Sequence, residues 1–284
     1  MVMASALLHA TWSASIKGSS DPVAFNVIQG SLTVAVGVLL APWMALPELG
    51  MHVWLLLAAT GVAHGLYWYG LSRALGESDL SLAYPIIRST PALLPFIAVP
   101  LLGEQLSLLG GLGIAIVASG IWVLQGTAPK GPRGGRGLQL AYFTLATTVA
   151  YSLLDKQIMA QVSAAPWHGE LPRSLVMYLL ISFTGLLGFL PLALRRLQPG
   201  TLRATWRQQR GRAAVAAAIG LVGYGLILEA YRTAPASYVV AVRQMSVLFA
   251  LAIAVGLLGE HTTWRRLLGG VATVTGVVMI ALWG

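Results

Sequence analysis

The chain has 284 residues, of which 57% are hydrophobic, 10% are charged and none is cysteine, with a formal net charge of +9. A water-soluble domain carries roughly 25% charged residues, so a soluble enzyme is excluded. The lack of cysteine also excludes disulfide frameworks, thiolate catalysis, Cys-ligated zinc and iron–sulfur clusters.

A helix needs ~20 apolar residues to cross a bilayer. Ten such stretches are predicted, at about 2–17, 24–42, 53–75, 80–102, 106–125, 138–156, 173–194, 213–234, 236–258 and 264–283. The expected fold class is therefore all-α integral membrane, with ten transmembrane helices. The first stretch lacks a basic leading region and carries His9, Trp12 and Lys17 inside its apolar run, which reads as a retained helix and not as a cleaved signal. Pro129, Pro132 and several glycines make 126–137 a linker, and 157–172 and 195–212 are predicted as longer loops.

Basic residues fix a predicted orientation. After the odd-numbered stretches lie Lys17, Arg73, Lys130, Arg133, Arg136, Arg195, Arg196, Arg203, Arg207, Arg210, Arg212, Arg265 and Arg266; the other side holds only Lys156, Arg173 and Arg232. Thirteen against three places the odd loops in the cytoplasm and both termini outside an inner (cell) membrane. The run Arg203 to Arg212 reads as a basic loop meeting anionic lipid, not as a nucleic-acid patch.

The chain repeats itself. Leu101-Leu102-Gly103-Glu104 recurs as Leu257-Leu258-Gly259-Glu260, and glycines follow each glutamate at nine and sixteen residues: Gly113 and Gly120, then Gly269 and Gly276. Trp12-Ser13 with Lys17 matches Tyr151-Ser152 with Lys156, 139 positions on in both cases. The units are 1–125 and 138–284, joined by the 126–137 linker. Five helices per unit is odd, so the copies enter the membrane in opposite senses, which is a transporter architecture with its site near the midplane.

These features resemble the ten-helix EamA-type members of the drug/metabolite transporter superfamily over essentially the whole chain. The resemblance rests on the duplication, the LLGE turns with their glycines, the opening His9 to Lys17, and Ala234-Pro235-Ala236-Ser237-Tyr238. It implies secondary transport, frequently export, of amino acids, metabolites or drugs. The opening also resembles a branch associated with phosphonate-utilisation genes. Many relatives carry basic residues at the N-terminus and after helix two, where this chain has none.

Charges inside hydrocarbon cost roughly 2.5–3.5 kcal/mol each by insertion scales, so those present are candidate contacts. Arg88 and Arg243 fall near the midplane, and alignment through the LLGE glutamates sets Arg88 opposite Gln244. Tyr84, Arg88, Pro91 and Pro95 share one stripe, which is either a cavity wall and bending point or a packed, kinked helix. Trp12, Trp68 and Tyr151 are candidate stacking residues, with His64 one turn from Trp68 and Asp155 one turn from Tyr151. Lys17 and Lys156 sit at helix ends as ligands or as snorkelling anchors. Glu229, Asp155 and His9 are candidates for proton coupling, Glu229 either as a cavity carboxylate or as a partner of Arg243, Arg232 or Lys156. Glu104 and Glu260 are expected to meet helix dipoles at the starts of helices.

No metal-binding pair of histidines, nucleophile elbow or phosphate loop is present, so no enzyme, cofactor or metal is expected. The composition of the charged set favours a small-molecule substrate bearing a carboxylate or phosphonate, or a zwitterion such as an amino acid. The alternatives are a proton-coupled exporter of organic cations and a channel. The expected partners are that substrate and the lipid bilayer, with the chain a monomer or homodimer.

Overall fold

The computed structural model describes residues 1–44, 49–77, 86–125, 134–249, 252 and 263–284. Among the described residues there are ten α-helices of eight residues or more and no strand. In chain order they are α1 (Val2–Lys17), α2 (Pro22–Leu40), α3 (Met51–Glu77), α4 (Thr90–Leu102), α5 (Leu108–Gln125), α6 (Gly134–Ala164), α7 (Arg173–Leu194), α8 (Thr201–Thr233), α9 (Ala236–Arg243) and α10 (Trp264–Trp283). Tyr84, the second LLGE turn with Glu260, and 126–133 of the linker lie outside the described residues.

Local signals set several boundaries. Asp21 accepts the amide of Ala24 at 2.9 Å ahead of Pro22 in the first turn of α2, the combination that starts a helix. Gly103 ends α4 at φ 65°, a left-handed conformation that glycine adopts without a Cβ clash.

The distribution of polarity is turned inside out. Phe96 and Leu108 are 80% and 89% exposed, while Thr144, Ser152 and Asp155 have no exposure at all. Water would oppose such a surface and hydrocarbon accepts it. Among the described residues, five helices are long and apolar enough to cross a membrane: Pro22–Trp43, Gly137–Ala164, Arg173–Leu194, Thr201–Thr233 and Trp264–Trp283. Three shorter apolar helices, Thr90–Leu102, Leu108–Leu124 and Ala236–Phe249, accompany them. The chain is a multi-pass membrane protein.

Two expected loops are helical in part. α6 runs on to Ala164, past the predicted end at 156, and α8 begins at Thr201, so Arg203, Arg207, Arg210 and Arg212 are helical and not in a loop. The reason is an inward stripe beneath the basic residues: Leu202, Thr205, Gln209 and Ala213 recur every three or four positions, and Leu202 and Ala213 pack on Ile16 and Phe25. At 33 residues, α8 is about 50 Å long and overreaches a ~30 Å hydrocarbon core.

The proline stripe is also resolved differently. The helix does not kink at Pro91; it stops at Arg88 and Ser89, and α4 restarts at Thr90 with Pro91 in its first turn. Pro91 has no amide for the carbonyl of Ile87, which takes the Thr90 hydroxyl at 3.5 Å instead. A matching interruption follows α9 at Gln244, beyond which 245–249 are helical again.

Contacts fix which helix ends lie together. Arg212, in the early part of α8, donates to the carbonyls of Gly18 and Ser15, both at 2.9 Å, where α1 ends. At the other end Arg173 caps α6 on the carbonyls of Val162 and Ser163, and Arg232 reaches Ser163 from the end of α8.

α5 and α10 meet backbone to backbone. A Cβ at Gly113 would stand 2.8 Å from the carbonyl oxygen of Gly276, and one at Gly276 would stand 2.6 Å from that of Gly113. Gly120 and Gly269 repeat the relation at 2.8 and 2.6 Å. The four glycines that mark the sequence repeat are therefore mutual contacts, which only residues without a side chain permit.

Candidate functional site

A cavity opens among seven helices. Its wall takes Ser5, His9 and Trp12 from α1; Gln29, Gly30 and Thr33 from α2; and His64, Tyr67 and Trp68 from α3. It continues with Tyr151 from α6, Tyr178, Ile181 and Ser182 from α7, and Arg243 from α9. α8 supplies Ala216, Ala217, Ile219, Gly220, Gly223 and Tyr224, whose small residues make the room. The space, mouth included, is about 750 Å³.

Arg243 is the charged residue in this wall, and it is 8% exposed. Its guanidinium lies over the Tyr224 ring at 5.5 Å from the centroid and reaches the Tyr151 hydroxyl at 3.5 Å. No carboxylate pairs with it among the described residues. A guanidinium held on aromatic rings has the chemistry to meet an anionic group.

A buried carboxyl group, Asp155, stands behind the wall. Asp155 accepts the Thr60 hydroxyl at 2.6 Å on one oxygen, and the Tyr224 hydroxyl at 2.5 Å and His64 Nε2 at 3.0 Å on the other. His64 is stacked on Tyr151, centroids 4.1 Å apart, and meets the edge of Tyr224 at 5.4 Å. Tyr224 thus touches both Arg243 and Asp155. On the α1 side, His9 stacks on Trp12 at 5.3 Å and contacts Arg88 through Nε2 at 3.2 Å. Trp12 donates to Gln29 at 3.0 Å, Gln29 to Asn26 at 2.8 Å, and Asn26 to Ser72 at 2.9 Å, a buried polar line joining α1, α2 and α3.

Of the residues singled out from sequence, the fold brings His9, Trp12, His64, Trp68, Tyr151 and Arg243 to the cavity, with Asp155 directly behind it. Arg88 is one contact back, behind His9, and also reaches Ser246 at 3.4 Å. Gln244 is buried at the α9 interruption and is not in the wall. Lys17 closes α1, and its side chain lies outside the described set. Lys156 is elsewhere: its ammonium donates to the carbonyls of Tyr231 and Ala234 at 2.6 and 2.9 Å, capping α8. Glu229 pairs with Arg232 one turn on, both side chains about a third exposed, and does not reach the cavity, Arg243 or Lys156. Glu104 does meet a helix start, but that of α9 rather than of α5: it accepts the amides of Ala236 and Ser237 and the Ser237 hydroxyl.

Among the wall residues that the sequence reading does not single out are Gln29, Tyr67, Tyr178 and Tyr224. Asn26 and Gln29 carried a signal, two amides three residues apart in an apolar helix, where polar groups need an internal reason. Tyr224 stands between Gly223 and Gly225, a small-residue setting that by itself fits close helix packing.

An apolar-surfaced helical bundle around a polar and aromatic cavity defines a multi-pass membrane protein with an internal cavity. The model of the EamA-like transporter family matches residues 136–282, and the chain belongs to that family. It is 33% identical over 82 residues to a Sinorhizobium protein described as an uncharacterized transporter in the cobO 3' region. That match covers 29% of this chain and 58% of the curated relative's length. A crystal structure of a protein 16% identical superposes with TM-score 0.71 over 100% of this chain and 98% of the other, a likeness of fold alone.

Proposed function

We propose that the protein is a secondary transporter that exports small anionic or zwitterionic metabolites, amino acids or phosphonates among them, by alternating access around this cavity. The observation that carries the reading is Arg243, a buried guanidinium in the cavity wall without a carboxylate partner among the described residues. Around it the aromatic side chains supply apolar faces for the rest of a ligand. A cationic substrate is disfavoured by that same charge, and Glu229 is engaged with Arg232 away from the cavity wall.

Two features support inverted halves moving against each other. The helix interruptions at Arg88 and Gln244 occupy positions equivalent in the LLGE alignment, and α5 and α10 make a reciprocal contact through equivalent glycines. Broken helices beside a central cavity suit a site exposed alternately to two sides. The sense of the basic bias puts Arg203 to Arg212 and the end of α1 on the cytoplasmic side and both termini outside an inner membrane.

The test is a thermal-shift screen of purified protein against amino acids, aminophosphonates, organic acids and quaternary amines, since a ligand that binds the folded state raises its stability. Hits are then taken to counterflow in proteoliposomes. A carrier saturates and shows trans-stimulation, whereas a channel shows neither. Stabilisation by quaternary amines alone overturns the anion-site reading.

A further inference from the structure

Asp155 is a fully buried carboxylate among membrane-spanning helices, and no lysine or arginine pairs with it among the described residues. When Asp155 is ionised it only accepts hydrogen bonds, and His64 Nε2 then carries the hydrogen that bridges the 3.0 Å between them. The neutral ring then has its lone pair on Nδ1. That nitrogen makes no hydrogen bond among the described residues, and the ring it belongs to lines the cavity. Stacking on Tyr151 and the edge contact with Tyr224 hold the ring in this orientation.

Resting on the reading of the cavity as a transport site, we propose that His64 Nδ1 is a proton-exchange site, where a proton and the ammonium group of a zwitterionic substrate compete for one lone pair. Asp155 acts as a positioning residue that fixes the tautomer and balances whichever cation is present. In the proton-loaded state the imidazolium faces Asp155. When a zwitterion enters, the Nδ1 proton leaves to water and the freed lone pair accepts an N–H of the substrate ammonium. The substrate carboxylate meets Arg243 on the other side of Tyr224. Each site exchanges one proton for one molecule, the stoichiometry of an antiporter, which suits export.

The groups that face this ring are few. α6 presents Asp155 and Tyr151, and α8 presents Tyr224, with Arg243 of α9 across the Tyr224 ring. Tyr67 on α3 and Tyr178 on α7 sit at the next remove, against Tyr151 and Tyr224 respectively. The His9–Arg88 pair lies on the α1 side of the cavity. Arg243, over the Tyr224 ring that His64 meets edge-on, is a fixed positive charge on this side of the cavity, and it favours exchange of one cation for another over accumulation of both.

The experiment mixes purified full-length protein, in weakly buffered detergent solution with a pH-sensitive dye, with glycine, with trimethylglycine or with acetate. All three carry the carboxylate for Arg243; only glycine carries an ammonium N–H. Glycine is expected to release protons, approaching about one per chain where the ring is charged, by linkage, and the other two to release none. His64→Gln, whose amide can still donate to Asp155, is expected to abolish the release. Should that variant fail to fold, the nitrogen-15 signal of His64 in the native protein, moved by glycine from its charged to its neutral position, gives the same answer. The proposal is overturned if glycine releases nothing, if trimethylglycine releases as much, or if release persists in His64→Gln. Stabilisation by glycine without proton release removes this proposal and leaves the transport reading standing. No binding by any zwitterion or anion removes the transport reading as well.

Discussion

Lys156 and Glu104 hold opposite poles of one turn. The Lys156 ammonium takes the carbonyls of Tyr231 and Ala234 at the end of α8, and the Glu104 carboxylate takes the amides of Ala236 and Ser237 at the start of α9. Each charge matches the partial charge of the helix end it meets. The lysine arrives on α6 and the glutamate from the turn after α4, so the α8–α9 corner is joined to two other elements.

Removal of either group is therefore expected to cost stability and not specificity. Glu104→Ala strands buried amides and is expected to lower unfolding free energy by about 2–3 kcal/mol, the scale of a lost hydrogen bond to a charged group. Lys156→Met is expected to act similarly and Glu104→Gln to cost less, since an acceptor remains. Thermal unfolding in detergent measures all three, and the ligand profile of the folded fraction should be that of the native chain.

The two intramembrane arginines are expected to separate in binding assays. Arg243→Gln, in the cavity wall, should weaken binding of a carboxylate or phosphonate ligand by roughly 10–100-fold, the equivalent of one charge-assisted contact. Arg243→Lys should restore charge but not the planar fork and recover only part of this. Arg88→Gln, acting through His9, should cost several-fold less. Equal loss in Arg88→Gln and Arg243→Gln would place the anion contact elsewhere.

The α5–α10 contact gives a matched pair of substitutions. Gly113→Ala puts a methyl 2.8 Å from a carbonyl oxygen, whereas Gly111→Ala, two residues away on the same helix, meets nothing within 4 Å. The first is expected to destabilise by about 1–3 kcal/mol, as overpacking does, and the second to be neutral or slightly stabilising. Comparable unfolding temperatures for the two variants would contradict the backbone contact.

Orientation is testable because the chain lacks cysteine. Ser20→Cys and Gln208→Cys stand at the end where Gln209 bonds Ser20 and Arg212 reaches Gly18. His168→Cys stands at the other end, between α6 and α7. An impermeant thiol reagent applied to intact cells should label His168→Cys alone. The reverse pattern would flip the charge-based topology, and labelling of Ser20→Cys without Gln208→Cys would contradict the helix-end contacts.

Much of the cavity was legible because polar and aromatic side chains inside apolar helices stand out: His64 beside Trp68, Asp155 beside Tyr151, and Arg243. What sequence could not show was the identity of the partner. Lys156 repeats Lys17 and so resembled a ligand, but its role depends on which carbonyls α8 brings within reach. Glu229 stood out as a glutamate within a helix, yet Arg232, three residues on, accounts for it locally. Leu202, Thr205, Gln209 and Ala213 marked the start of α8 at helical spacing, but a dense run of arginines between them gave the segment the composition of a loop.

The glycine contact between α5 and α10 also limits how the molecule can move. Side chains can exchange rotamers and let two helices slide, but a carbonyl oxygen set against an opposing Cα has no such freedom. A shift of one residue along either helix would bring Ile114 or Val277 where a glycine now sits. The two helices make a rigid post to which each half of the chain contributes one member. Neither contributes a residue to the cavity wall, so on the proposed transport reading a ligand enters and leaves with the post intact, and the movement falls to the helices that line the space.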